Sequence, residues 1–121
     1  MIRARGYILV ESLVALLVLA LVMGSVLATV AQSARRQASA LAARRALLLA
    51  RSELAAVGSA IPATPGTASG LSDDLVWRVS IDPAAPPGKL GTLARVTVAA
   101  GPAHEKPRVV LSELRILPPQ P

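Results

Sequence analysis

The sequence predicts an α+β fold in which one long N-terminal helix packs on a small antiparallel β-sheet. All ten prolines lie at or after Pro62, so residues 7–57 contain none. An uncharged and mostly apolar run extends from Ser12 to Ala31. After Pro62, short segments alternate apolar and polar residues, which is the pattern of half-buried strands. These three observations separate a helical half from a sheet-forming half.

The predicted helix covers residues 7–57, which are rich in the strong helix formers Leu and Ala and contain one glycine, Gly24. Gly58 followed by Pro62 is a helix-stop signal. The twenty residues from Ser12 to Ala31 would span about 30 Å at 1.5 Å per residue, the thickness of the hydrocarbon core of a bilayer. We therefore expect a transmembrane helix over residues 7–31.

A cleaved secretory signal peptide is an alternative explanation of the same run, with cleavage near Ala28 or Ala31. The run is longer than the usual signal-peptide core of about 7–15 residues. Glu11 also places a carboxylate at its start, where such cores do not normally carry one. Both features favour a permanent membrane anchor.

Residues 32–57 are predicted to continue the helix outside the membrane with one apolar stripe. The stripe steps by four and three residues, as a helix face requires, through Ala43, Leu47, Ala50, Leu54 and Val57. We expect this stripe to cover the sheet.

Residues 58–121 are predicted to form the sheet region. Residues 58–74 are rich in Gly, Pro, Ser, Ala and Thr and predict a loop. Three strands are expected over Leu75–Ile81, Thr92–Ala99 and Arg108–Leu117, followed by a frayed tail at 118–121. The residues that alternate as the apolar face are Leu75, Trp77, Val79 and Ile81 in the first strand, Ala94, Val96 and Val98 in the second, and Val110, Leu114 and Ile116 in the third.

Composition argues against an enzyme, a cofactor and a metal. There is no cysteine, and the single histidine, His104, lies in a loop-like stretch where a lone histidine is usually solvated, whereas zinc sites usually need three or four ligands. Asp73, Asp74 and Asp82 are the only candidate calcium ligands, and adjacent aspartates in a loop are more often solvated; no calcium site is expected, since such a site needs six to eight oxygens. The net charge of +6 is not interleaved with aromatic residues, so no nucleic-acid partner is expected.

The stretch Arg5-Gly6-Tyr7-Ile8-Leu9-Val10-Glu11, followed directly by the apolar run, carries the functional information. It resembles the prepilin leader motif shared by type IV pilins and type II secretion pseudopilins. The resemblance implies a pilin-like fold, a leader peptide at residues 1–6 and cleavage by prepilin peptidase between Gly6 and Tyr7. It also implies N-methylation of Tyr7, which replaces the usual phenylalanine, and a role in assembly for Glu11, the fifth mature residue.

The physical chemistry of these residues agrees with that implication. Cleavage after Gly6 would free a positively charged amine on Tyr7, and Tyr7 and Glu11 lie on one helix face at i and i+4. In a filament the Glu11 carboxylate can neutralise the amine of a neighbouring subunit and set the axial register. The alternative is a Glu11 that merely caps the N-terminus of a signal-anchor helix.

Within that family the chain looks most similar to the I class of minor pseudopilins in type II secretion. The similarity lies in residues 6–14, 49–55 and 76–79. Major subunits usually carry a proline near the twenty-second mature position, where this chain has Ala28.

This resemblance implies a structural subunit of the pseudopilus with no catalytic residues. It would be anchored once in the bacterial inner membrane with its C-terminal domain in the periplasm, and its partners would be other minor pseudopilins and prepilin peptidase. Two other hypotheses remain: a minor pilin of a type IV pilus or DNA-uptake system, and a secreted enzyme or binding protein made with a cleaved signal peptide.

Overall fold

A computed structural model describes residues 2–119 of the chain, with side chains from Gly6 onward. Helix α1 covers Ile2–Ala56, and four strands follow: β1 Gly66–Ser72, β2 Leu75–Pro83, β3 Thr92–Pro102 and β4 Val109–Leu117. The strands form one antiparallel sheet in the order β1-β2-β3-β4, so each strand pairs with its neighbour in sequence. The predicted α+β fold, with a long apolar N-terminal helix and a small antiparallel sheet, is confirmed.

The chain divides into two compact units, residues up to Ala40 and residues from Leu41 onward. The first unit is helix alone, and every side chain described in it is exposed. The second unit contains the last turns of α1 and the whole sheet. The predicted leader falls partly on Met1 and on the side chains before Gly6, and the end of the predicted tail falls on Gln120 and Pro121; these lie outside the described residues.

Helix α1 ends where the sequence signals predict. Gly58 adopts a φ of 93°, a left-handed conformation that costs glycine little and that commonly follows a helix C-terminus. The amides of Ser59 and Ile61 both donate to the carbonyl of Ala56 at 3.0 Å, and Gly58 donates to Ile61 at 2.8 Å. The chain therefore turns sharply toward the sheet with its terminal carbonyl groups hydrogen-bonded.

The hydrophobic core lies between the last turns of α1 and the inner face of the sheet. The helix contributes two alanines with no exposed surface, Ala46 and Ala50. The predicted stripe is confirmed in part: Ala50, Leu54 and Val57 belong to the core or pack against it, whereas Ala43 and Leu47 are half-buried. The buried residues after the helix are Val57, Ile61, Val79, Ile81, Ala94, Val96, Val98, Ala100 and Leu117.

The prediction of a loop over residues 58–74 is wrong for residues 66–72, which form β1. The segment Gly-Thr-Ala-Ser-Gly-Leu-Ser has low strand propensity. Its strand conformation is stabilised instead by packing against the neighbouring strand β2. Gly70 pairs with Trp77 across the strands, and a Cβ atom at Gly70 would lie 2.6 Å from the indole ring. The glycine leaves room for the indole to lie over the β1 backbone.

The prediction of which face of the last strand lies against the core is also wrong. Val109, Leu111 and Leu117 of β4 face the core or pack at its edge, together with the polar residues Glu113 and Arg115. The residues expected to face the helix lie on the opposite, exposed face: Val110, Leu114 and Ile116. The inward placement of Arg115 has a physical reason, because its guanidinium hydrogen-bonds the helix end and pairs with Glu113.

Candidate functional site

The first unit presents an apolar helix surface that no part of the described chain covers. The helix from Gly6 is long and apolar enough to cross a membrane, and its most hydrophobic stretch has no buried residue. Large side chains such as Leu16 and Leu27 are two-thirds exposed. Such a surface is costly in water and favourable in lipid. This part of the molecule is therefore suited to membrane anchoring.

The hydroxyl groups within the apolar run are satisfied by the helix itself. Ser12 donates to the carbonyl of Ile8 at 2.9 Å, Ser25 to Val22 at 2.8 Å, and Thr29 to Ser25 at 2.9 Å. Unpaired polar groups are expensive in hydrocarbon, whereas these three side chains need no external partner. Three polar residues are thus compatible with a lipid-exposed span.

The predicted processing site lies on this helix in an open position. Tyr7 is 79% exposed, and a Cβ atom built on Gly6 would meet no other atom within 4 Å. The Gly6–Tyr7 bond lies within α1, so cleavage there would require the chain to unwind locally. Glycine eases that step, because it lowers helix stability by about 1 kcal/mol relative to alanine.

Glu11 is exposed one helical turn after Tyr7, at the start of the uncharged run. The two salt bridges found in the described part of the chain, Arg108–Glu105 and Arg115–Glu113, do not involve it. The carboxylate is therefore available for an amine on the same helix or on a neighbouring molecule.

The second unit contains a contact that sequence reasoning missed. Arg115 Nη1 of β4 donates to the carbonyl oxygen of Val57 at 3.0 Å, and its guanidinium also contacts the Glu113 carboxylate. The positive charge lies at the carbonyl end of α1, where the helix dipole favours it. The last strand is thereby attached to the segment that follows the helix.

The acidic residues considered for calcium do not come together. Asp73 and Asp74 form the turn between β1 and β2, whereas Asp82 of β2 accepts a hydrogen bond from Ser80 Oγ at 2.6 Å. Residue His104 lies in the loop between β3 and β4. Among the described residues there is no group of three or more His, Cys, Asp or Glu that could hold a metal ion.

Comparison with known proteins finds no match: no family model, no curated protein and no solved structure resembles this chain closely enough to be informative.

Proposed function

We propose that this chain is a structural minor subunit of a type II secretion pseudopilus, made as a precursor and cleaved by prepilin peptidase after Gly6. One combined observation carries the proposal. A glycine, an aromatic residue and a glutamate with prepilin spacing lie directly before an exposed apolar run of bilayer length, Ser12 to Ala31, within helix α1. The same helix ends in a unit with a small antiparallel sheet, as expected of a pilin-like subunit.

Processing would change the electrostatics of the helix end. Before cleavage, the nitrogen of Tyr7 is an uncharged amide. Cleavage makes it an amine that is positively charged at neutral pH, one helical turn from Glu11. A carboxylate at the membrane edge is costly unless it is paired. In an assembled filament, Glu11 pairs with the amine of a neighbouring subunit, so cleavage permits assembly.

The location and partners follow from this proposal. The apolar helix anchors the protein once in the bacterial inner membrane, with the sheet on the periplasmic side. The partners are the other minor pseudopilins of the pseudopilus. A minor pilin of a type IV pilus or DNA-uptake system has the same N-terminal motif, and the subunits that co-purify with this chain distinguish the two.

The processing step is tested by intact mass spectrometry of the protein extracted from membranes of cells that contain prepilin peptidase. We expect a mature N-terminus at Tyr7 carrying one added methyl group. A mature N-terminus near residue 29 or 32 would identify a signal peptide and contradict the proposal.

A pair of glycine variants makes the test specific. Gly6 and Gly24 both lie on the exposed helix, and a Cβ atom at either position meets nothing within 4 Å. Gly6→Leu should therefore accumulate as full-length precursor, whereas Gly24→Leu should be processed like the unaltered chain. Equal processing of both variants would show that Gly6 does not define the cleavage site.

A further inference from the structure

Two arginines follow the apolar run without any acidic residue nearby. Arg35 and Arg36 are exposed on the helix of the first unit. The only acidic residue in that unit is Glu11, which is 24 positions earlier and therefore about 36 Å away along the helix. Both salt bridges in the described part of the chain lie elsewhere. The charges of these two arginines are thus not neutralised within their own unit.

The position of the pair along the helix corresponds to the headgroup layer of a bilayer. With the hydrocarbon boundary at Ala31, a rise of 1.5 Å per residue places Arg35 about 6 Å and Arg36 about 7.5 Å beyond it. The polar layer on each side of the hydrocarbon core is about 5–7.5 Å thick. Side chains on a helix also lean toward its N-terminus, which here is toward the membrane. Long arginine side chains therefore reach the depth of the lipid phosphates.

The directions in which the two arginines point suit contact with a surrounding layer of lipid headgroups better than contact with a protein docked on one side of the helix. Adjacent helix positions are about 100° apart, so Arg35 and Arg36 point in different directions around the axis. A protein docked on one side of the helix would contact one of them, whereas headgroups surround the helix and contact both. The guanidinium group binds phosphate oxygens through two parallel hydrogen bonds, a geometry that lysine cannot provide.

We propose that Arg35 and Arg36 bind the phosphates of anionic phospholipids in the leaflet at the C-terminal end of the span, and thereby fix the depth of the helix. The proposal uses the membrane-anchor part of the proposed function. It does not depend on cleavage, methylation or membership of a filament.

The test measures which lipids surround the helix in the full-length protein. The chain has no cysteine, so Ser33→Cys gives one site for a fluorophore beside the pair. The labelled protein is reconstituted in phosphatidylcholine vesicles containing a minor fraction of phosphatidylglycerol. Quenching by headgroup-region spin labels on each lipid then gives the local preference for the anionic lipid. Alkaline extraction of the same vesicles establishes that each variant is inserted.

We expect a clear preference for phosphatidylglycerol, of up to about fivefold for each arginine at low salt. Arg35→Gln/Arg36→Gln should bring the preference close to one while the protein stays inserted. The matched control is Arg44→Gln/Arg45→Gln, which removes the same charge nine residues further along the chain and should retain the preference.

Three results would overturn the proposal: an inserted protein with no preference, an unchanged preference in Arg35→Gln/Arg36→Gln, or an equal loss in both double variants. Each of these leaves the proposed function intact, because insertion is measured separately. Failure of the unaltered chain to insert would overturn both this proposal and the membrane anchor. If the protein prefers phosphatidylglycerol but does not assemble with pseudopilins, only the proposed function is contradicted.

Discussion

Glu11 is the only acidic residue among the first 52 of the chain, and it directly precedes the uncharged apolar run that begins at Ser12. In the isolated chain it is exposed and forms no salt bridge with any described residue. A carboxylate in this position lowers the favourable free energy of membrane insertion unless a positive group accompanies it. The proposed cleavage after Gly6 would create such a group, an amine on Tyr7, one helical turn away.

We predict that Glu11→Leu prevents assembly without preventing insertion or cleavage. Insertion should be unchanged or improved, because the substitution removes a charge from the edge of an apolar helix. Cleavage should persist, since the Gly6–Tyr7 bond is unaltered. Assembly should fall by at least about tenfold, because the amine of a neighbouring subunit then lacks a counter-charge in a poorly hydrated filament. Co-purification with the other prepilin-motif subunits measures the effect.

Glu11→Asp is the matched control for that experiment. The charge stays but its reach is shorter, so partial assembly is expected. Normal co-assembly and normal secretion by Glu11→Leu would show that this carboxylate does not set the register, as for a subunit at the filament tip with no neighbour above it.

Arg115 shows at the residue scale why one structural contact was not predictable. Its partner, the Val57 carbonyl, is 58 positions earlier in the chain. In the sequence, Glu113 and Arg115 alternate with Leu114 and Ile116, and charged residues on a strand normally indicate the solvent side. Only the folded chain brings the helix end beside β4, and this contact reverses the usual assignment of the two faces.

At the scale of elements, a helix or strand was predictable where its own residues form a clear sequence pattern. Helix α1 and its end were predictable from proline-free composition and from Gly58, and β2 and β3 from clear alternation with period two. Strand β1 was not predictable, because it has two glycines and no apolar alternation; its place depends on pairing with Trp77 and its neighbours in β2. The positions of Gly6, Tyr7 and Glu11 on the exposed helix followed directly from the sequence.

The two faces of β4 provide a test of the strand register. Leu111 is half-buried, pairs with the fully buried Val98 and packs on the core, whereas Leu114 is 58% exposed on the outer face. Leu111→Ser should lower the free energy of unfolding by about 2 kcal/mol, because it removes apolar contacts and adds a hydroxyl group. Leu114→Ser should change it by about 0.5 kcal/mol or less.

Urea unfolding of the full chain in mild detergent measures both variants. Trp77, the only tryptophan, reports on the sheet because it lies in β2 against Gly70. If Leu114→Ser were the more destabilising variant, β4 would present the face suggested by its alternating apolar residues rather than the face in the structure.

At the scale of the whole molecule, the two units have different requirements for stability. The helix up to Ala40 buries none of its described side chains, and its apolar surface is suited to lipid. The unit from Leu41 onward has its own core, in which Ala46 and Ala50 of the helix meet Val79, Val96 and Val98 of the sheet. The boundaries predicted from the sequence, at residues 31 and 57, mark where the chain is expected to leave the membrane and where the helix ends. The compact units of the structure instead divide after Ala40.

We therefore predict that a fragment beginning at Gln32 is soluble, monomeric or weakly associating, and folded without the membrane segment. Its circular dichroism should show helix and strand together, and Trp77 fluorescence should report cooperative unfolding. A fragment beginning at Gly58 is the control, because it lacks Ala46 and Ala50 and would expose Val79, Val96 and Val98 on the open sheet face; it should aggregate or remain unfolded. A disordered spectrum for the longer fragment would show that this small core, with one tryptophan as its only aromatic residue, needs a partner subunit to fold.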